Sequence, residues 1–214
     1  GNPSVPAPQS VNDTIIKNIR DLDALSLHGY SPGMGIPEAR AAIAKSLNQK
    51  YGCHYQPENI FMAIGAAGAL AHAFRAVNNP GDEVLTFAPC FSEYKPYTAG
   101  ASLKLSIVPA DVDSFQINFD AFEQMLTPAV TSVLINSPNN PSGIVYSTGT
   151  IRRLADILTA KSAEFGRPIY LISDEPYRDI VFTGTDSPYI ANFYKNTLTC
   201  YSFSKSLSLP GERI

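Results

Sequence analysis

Short apolar segments rich in β-branched residues alternate with segments of helical period along most of this 214-residue chain. The candidate strands are NIFMAIG, DEVLTF, SLKLSIVPA, TSVLINSP, PIYLISD and TLTCYSFS. The candidate helices lie between them, over AAGALAHAFRAV, SEYKPYTA, FDAFEQML and TIRRLADILTAKSAEF. Because this alternation is typical of βαβ units, it predicts an α/β fold. We expect three layers, α/β/α, around a mostly parallel (mixed) central sheet.

The segment before this alternation has a different composition. The opening GNPSVPAPQS is rich in proline and serine, which indicates an extended arm, and Ser10 or Asn12 is the expected cap of a short helix after it. Pro37 suits the first position of the next helix. We therefore expect an N-terminal arm over residues 1–29 and one large domain over residues 30–214.

Composition and charge exclude several classes of protein. Apolar residues make up 44% of the chain and charged residues 16%, which favours a packed core over a disordered chain. The net charge is -3 and basic residues do not cluster, so we expect no nucleic-acid partner. No apolar run is long enough to span a membrane. The three cysteines have no metal-like spacing, which favours thiols in a reducing cytoplasm and no metal site.

The predicted strand ends carry the candidate functional residues, because ligands of parallel α/β sheets bind at the carboxyl ends of strands. Lys205 follows the last candidate strand, between Ser204 and Ser206, with Ser202 and Arg213 nearby in sequence. A lysine with a lowered pKa forms a Schiff base with an aldehyde, and an arginine with hydroxyls suits a phosphate. This combination points to pyridoxal phosphate (PLP), although a structural loop can imitate the pattern.

A second candidate cluster is SDEPY. Asp174 ends the apolar strand PIYLISD, and a buried carboxylate needs a partner. The protonated pyridine nitrogen of PLP is one such partner, and Tyr177 is within reach of the phenolic oxygen of the same ring. An acidic helix cap followed by a surface tyrosine explains the residues equally well.

Three further strand ends carry weaker signals. In NSPNNPSG we assign Asn139 to turn building and expect the Asn140 amide to face the site. GAAGAL opens a helix whose backbone N–H groups, at Ala66 and Ala67, suit a phosphate, although such helix starts are common. Phe91 is able to stack on a flat ring, but a core aromatic is the commoner role of a single phenylalanine.

These motifs together resemble the class I/II aminotransferases, the fold-type I PLP enzymes. SFSKSLSLPGER is similar to the lysine signature of that family, NNPSG to its N-P-[ST]-G turn, and DEPY to its D-x-x-Y element. YSPGMGIPEAR is similar to the tyrosine-plus-glycine stretch before its first large-domain helix, and the initial GNP is similar to its G-x-P arm. The resemblance spans almost the whole chain, with the motifs in the order of the family.

The resemblance implies roles around the cofactor ring. Lys205 would hold PLP as a Schiff base and move the proton between the substrate and the cofactor. Asp174 would pair with the pyridine nitrogen, and Tyr177 and Asn140 would bond the phenolic oxygen. Phe91 would stack on the ring, in a position where many relatives have tyrosine or tryptophan.

The resemblance also implies how the phosphate is held. Ser202, Ser204, Arg213 and the backbone of Ala66 and Ala67 would bind it.

A partner subunit and the substrate are implied as well. Tyr30 would reach the phosphate of a neighbouring subunit, so the active site would be shared across a homodimer. Gly1 and Asn140 would contact the substrate. The small C-terminal domain of the family, with its carboxylate-binding arginine, is not part of this chain, which we therefore expect to be the large domain of a longer enzyme.

The expected activity is transfer of an amino group from an amino acid to a 2-oxo acid. Carbon–sulfur lyases, aminocyclopropane-carboxylate synthases and some decarboxylases share these motifs, and so do PLP-binding regulatory modules. The sequence does not distinguish these reactions, and it does not identify the amino acid.

Overall fold

The structure of this chain is a computed structural model that describes residues 3–214. Within that range it has eight α-helices and five strands. The helices are α1 (Gln9–Asp21), α2 (Ala24–His28), α3 (Pro37–Tyr51), α4 (Gly65–Val77), α5 (Tyr94–Gly100), α6 (Phe119–Met125), α7 (Thr148–Glu164) and α8 (Phe203–Ser206). The strands are β1 (Glu83–Phe87), β2 (Lys104–Val108), β3 (Val130–Asn136), β4 (Tyr170–Asp174) and β5 (Thr197–Cys200).

The described residues form two compact units. The first contains residues 3–63 and the segment Phe203–Ile214, and the second contains Ile64–Ser202. The predicted division between residues 29 and 30 stays a prediction. No helix within residues 3–214 is long and apolar enough to cross a bilayer.

The second unit is built on one five-stranded sheet in the order β2-β1-β3-β4-β5. Each of its four strand pairs is parallel. The α/β prediction is therefore confirmed, and the sheet of the described residues is wholly parallel rather than mixed. Parallel neighbours require crossover connections, and α5, α6 and α7 lie in these connections along the chain.

Alternate residues of each strand pack on opposite faces of the sheet. In β3, Val133 and Ile135 belong to one apolar cluster, whereas Leu134 belongs to the other. The first cluster includes residues of α6 and α7, and the second includes residues of α4 and α5. Both faces are thus covered by helices, which explains why these strands are continuous apolar runs instead of alternating polar and apolar residues.

One predicted strand is wrong. NIFMAIG, residues 59–65, begins at the end of a 3-10 helix (Pro57–Asn59), and its apolar part pairs with no strand among residues 3–214. Phe61 and Ile64 are 67% and 71% exposed. The Met62 N–H instead donates to the Met34 carbonyl at 3.1 Å. An apolar run identifies a strand only where a neighbouring strand is available to pair with it.

The first unit contains the predicted arm and the helix after it. Pro37 is at the start of α3, as predicted. The capping prediction is wrong, since α1 starts after Pro8 and no side chain of the described residues caps it. None of the residues of α1 or α2, all of which are described, is buried. Burial of side chains among residues 3–214 therefore does not account for the stability of these two helices.

The two-faced core gives a first prediction. Phe74 lies on α4 and is 0% exposed, whereas Phe182 is 89% exposed. We expect Phe74→Ala to lower the free energy of unfolding by about 3–5 kcal/mol, because a cavity remains between α4 and the sheet. Phe182→Ala is the matched control and should change it by less than about 0.5 kcal/mol. Chemical denaturation measures both, and equal effects would contradict this assignment of the core.

Candidate functional site

The carboxyl ends of β3 and β4 bring polar groups together. Asn136 ends β3, Asp174 ends β4, and the two residues are paired in register. Asn136 Nδ2 donates a hydrogen bond to the Asp174 carbonyl at 2.8 Å. On the other side, Asp174 is paired with Cys200 at the end of β5. Asp174 therefore lies at the edge of the sheet where parallel α/β proteins bind ligands.

The Asp174 carboxyl group is buried and only half satisfied. Its side chain accepts a hydrogen bond at Oδ2 from the Tyr94 hydroxyl, at 2.6 Å. Among residues 3–214, no group donates to its other oxygen, Oδ1. Burial raises the pKa of Asp174 to about 7, the Tyr94 hydrogen bond opposes this rise, and the Glu175 charge adds to it. An unpartnered buried oxygen costs free energy, so Oδ1 is a ready acceptor for a donor on a ligand.

Asn140 and Tyr177, both predicted as site residues, are in contact. Asn140 Nδ2 donates to the Tyr177 hydroxyl at 3.4 Å. The Asn140 N–H donates to Asn136 Oδ1 at 2.6 Å, which fixes this loop to the end of β3. Burial and the nearby Asp174 charge raise the pKa of Tyr177. Its phenol therefore keeps its proton and is able to donate it in a hydrogen bond.

The loops that follow β1 and β3 are tied to one another. Asn139 Nδ2 donates to the Pro89 carbonyl at 3.2 Å. Asn139 Oδ1 accepts from the N–H and the hydroxyl of Ser142 at 3.1 and 2.7 Å. This confirms that Asn139 builds the turn. In the loop after β1, the half-buried Phe91 ring packs edge-on against Tyr94, with 5.7 Å between ring centroids.

The start of α4 has the backbone geometry of an anion site. Gly65 begins the helix with φ +72°, a left-handed conformation that glycine adopts readily. No side chain of the described residues caps this helix. Because the first N–H groups of a helix lack intrahelical partners, those of Ala66 and Ala67 are suited to an anion.

A buried ion pair lies next to Asp174 in sequence. Arg178 Nη1 donates to Glu175 Oε2 at 2.9 Å, and Ser173 donates to Glu175 Oε1 at 2.7 Å. The Arg178 guanidinium also packs over the Tyr201 ring, 4.4 Å from its centroid. Burial raises the pKa of Glu175, and the Arg178 charge opposes that rise. This pair fixes the backbone segment that carries both Asp174 and Tyr177.

The remaining predicted residues are divided between the two units. Ser202 follows β5 in the second unit and is buried. Lys205 and Ser204 belong to the first unit, where they lie on the short helix α8 and not at a strand end as predicted. The strand β5 ends at Cys200, because the next residues turn into α8.

Of the other predicted residues, Arg213 and Tyr30 lie in the first unit. Arg213 is exposed, has φ +55°, and donates from Nη1 to the Pro210 carbonyl at 2.8 Å. Tyr30 is 108% exposed among the residues that the structure describes. Gly1 lies outside the described residues.

Sequence reasoning missed Tyr94, Asn136 and the Glu175–Arg178 pair. Asn136 is detectable in principle, since it ends an apolar strand in the way that Asp174 does. Tyr94 carries no such signal, because its partner Asp174 is 80 residues away in the chain.

Comparisons with known proteins agree on one family. A family model described as Aminotransferase class I and II matches residues 1–214. The chain is 32% identical, over 217 aligned positions, to an aspartate aminotransferase of Thermotoga maritima, covering 100% of this chain and 55% of that protein. It is 31% identical to a probable N-succinyldiaminopimelate aminotransferase of Mycobacterium tuberculosis, covering 94% of this chain and 50% of that protein.

Solved structures give the same answer. An amino transferase from Eubacterium rectale superposes with a TM-score of 0.97 at 53% identity, covering 100% of this chain and 54% of that chain. An aspartate aminotransferase of Thermus thermophilus superposes with a TM-score of 0.88 at 27% identity, covering 100% of this chain and 53% of that chain. The chain therefore spans about half the length of the relatives it matches.

The raised pKa of Asp174 gives a prediction for the cofactor-free protein. The Asp174 carboxyl group has a pKa of about 7 in the folded state, against an ordinary value of 3.8. At pH values between these two, the folded state holds a proton that the unfolded state has lost. The free energy of unfolding should therefore fall as pH rises from about 4 to about 7, by at most about 1.4 kcal/mol per pH unit. Asp174→Asn should remove this slope, and Asp156→Asn on the exposed face of α7 should retain it. Denaturation at several pH values measures the slope, and an unchanged slope in Asp174→Asn would contradict the assignment.

The buried ion pair gives a prediction about stability. Glu175→Ala leaves the Arg178 charge without its carboxylate, so we expect a loss of about 3–5 kcal/mol in the free energy of unfolding. The double variant Glu175→Leu/Arg178→Met removes both charges and should be less destabilised than Glu175→Ala. Chemical denaturation distinguishes the two, and a loss in the double variant equal to or larger than that in Glu175→Ala would contradict the pairing.

Proposed function

Because the chain belongs to the class I and II aminotransferase family, we propose that it forms the PLP-binding part of an aminotransferase. The enzyme transfers an amino group from an amino acid to a 2-oxo acid. PLP is the cofactor of this family. The observation that carries the proposal is the unpartnered Oδ1 of buried Asp174, in a chain that the family matches from residue 1 to residue 214.

The residues of the second unit fit the polar groups of PLP. Asp174 Oδ1 is an open acceptor for a ring N–H, and a carboxylate is the group that keeps such a nitrogen protonated. Asn140 and Tyr177 are neighbouring donors for the phenolic oxygen. The uncapped N–H groups of Ala66 and Ala67 suit the phosphate.

The chemistry is divided between cofactor and protein. PLP, when bound, supplies a ring that accepts the electron pair released at the substrate Cα. Asp174 stabilises a positive charge at the ring nitrogen, which strengthens this acceptor. Tyr177 and Asn140 would orient the ring through its phenolic oxygen, and Phe91 would pack against it.

Lys205 is the proposed catalytic residue. Its Nζ would hold the cofactor covalently and, as a free amine, would accept the proton of the substrate Cα. Ser202, Ser204 and Arg213 are proposed phosphate ligands. The family lysine signature that SFSKSLSLPGER resembles supports these assignments.

A second copy of the chain is the proposed partner, in a homodimer with a shared active site. Tyr30 supports this proposal, because its side chain is fully exposed in the single chain and is free to reach a neighbour. Gly1 and Asn140 are proposed substrate contacts. We place the enzyme in the cytoplasm. Aspartate is the first amino donor to test, since a matched relative is an aspartate aminotransferase.

The lysine assignment predicts a specific loss. With PLP added, the unaltered protein should show a visible absorption band that bleaches with aspartate and returns with 2-oxoglutarate. Lys205→Ala should lose the covalently held cofactor, seen as no pyridoxyl label after borohydride reduction, and should fall at least about 1,000-fold in turnover. Lys195→Ala, at an exposed lysine, is the matched control and should behave like the unaltered protein.

The same assay separates the alternative reactions. Full labelling in Lys205→Ala would refute the assignment of this lysine. If the band forms and the protein releases pyruvate from cystathionine without transferring an amino group, the protein is a carbon–sulfur lyase. A band that no amino donor changes would favour a binding module.

A further inference from the structure

Among residues 3–214, Tyr94 is the residue whose side chain donates a hydrogen bond to the Asp174 carboxylate. It is the first residue of α5 and is 0% exposed. Its hydroxyl lies 2.6 Å from Asp174 Oδ2. No motif identified in the sequence includes this residue.

The direction of this hydrogen bond is fixed. Burial, the Asp174 charge and the hydrogen bond itself strongly raise the pKa of the Tyr94 phenol, so it keeps its proton at any physiological pH. Tyr94 is therefore the donor and Asp174 Oδ2 the acceptor. The two carboxylate oxygens become inequivalent, because one is occupied and the other, Oδ1, has no partner among residues 3–214.

Because the two oxygens are inequivalent, a ligand donor can form its hydrogen bond with Asp174 at Oδ1. A proton on the carboxyl group would have to reside on Oδ1, where the described residues offer it no acceptor. The ionised form presents Oδ1 as a bare acceptor, which is complementary to an N–H at the same position. The Tyr94 hydroxyl thus favours the form of Asp174 that accepts a ligand donor.

Packing alone does not require a hydroxyl at this position. The Tyr94 ring contacts Phe91 and belongs to the apolar cluster between α4, α5 and the sheet. A phenylalanine ring would fill the same volume. The hydroxyl group therefore adds an interaction with Asp174 that the core does not need for its packing.

We propose that Tyr94 is a positioning residue, whose hydroxyl holds the Asp174 carboxylate with Oδ1 directed to the ring nitrogen of PLP. This inference rests on the proposed function and extends it by one residue. Tyr94 acts through Asp174 and makes no contact with the substrate. Its effect should therefore depend on the presence of a nitrogen in the cofactor ring.

The test compares PLP with 1-deaza-PLP, in which a C–H group replaces the ring nitrogen. We expect Tyr94→Phe to weaken PLP binding by about 10- to 100-fold, as for loss of one hydrogen bond to a charged group. Its effect on 1-deaza-PLP should be less than about threefold. Tyr146→Phe is the matched control, because Tyr146 is also buried but belongs to the opposite cluster. Equilibrium dialysis of the cofactor-free protein gives all affinities without an activity assay.

A second measurement needs no cofactor. Tyr94, Tyr177, Glu175 and Cys200 are the titratable groups that interact with Asp174. Of these, Tyr94 is the one that donates to the carboxylate. Tyr94→Phe should therefore raise the pH at which Asp174 loses its proton. The infrared band of the Asp174 carboxyl group measures this titration, with Asp174→Asn as the blank.

The outcomes are distinct. Equal losses for PLP and 1-deaza-PLP, or unchanged affinity for both, would overturn the positioning role. An unshifted Asp174 titration in Tyr94→Phe would also overturn it. If the unaltered protein binds neither compound, the proposed function itself fails, whereas a shifted Asp174 titration in Tyr94→Phe would still support the Tyr94–Asp174 coupling.

Discussion

The buried carboxylate of Asp174 is the constraint on which the organisation of the second unit depends. A charge at this depth is stable only if its surroundings supply donors, and the fold supplies one through Tyr94 and leaves one oxygen open. Asn136 holds the backbone of the same residue, and the Glu175–Arg178 pair fixes the next turn. These contacts place a binding group at the sheet edge with little freedom to reorient before a ligand arrives.

Much of the fold follows from local pattern. The strands β1 to β5 and the helices α4 to α7 were predictable, because a strand covered on both faces is a continuous apolar run and its helices have a clear period. The strand predicted over NIFMAIG was wrong, because an apolar run contains no information about whether a neighbouring strand exists. Lys205 was expected at the end of a strand but lies on α8, and this helix is too short to produce a periodic signal in the sequence.

The candidate site was predictable only where its residues belong to short motifs. Asp174 and Tyr177 are three residues apart, so the pattern is visible in the chain. Asn140 and Tyr177 belong to two separate motifs, and each was expected near the phenolic oxygen of the cofactor, but the contact between them was not predicted. Tyr94 was missed, since a phenol on an amphipathic helix looks like any other core aromatic until its distant partner is known.

The separation of Tyr94 and Asp174 along the chain has a consequence for synthesis. The two residues are 80 positions apart, and ribosomes add about 5–20 residues per second. The phenol is therefore made roughly 4–16 s before the carboxylate that it serves. During that interval the Tyr94 hydroxyl has no Asp174 carboxylate to which it can donate. Because Asp174 is the last residue of β4, the site can bind a cofactor only after β4 has joined the sheet. Bound cofactor would therefore indicate that the sheet has been completed through β4.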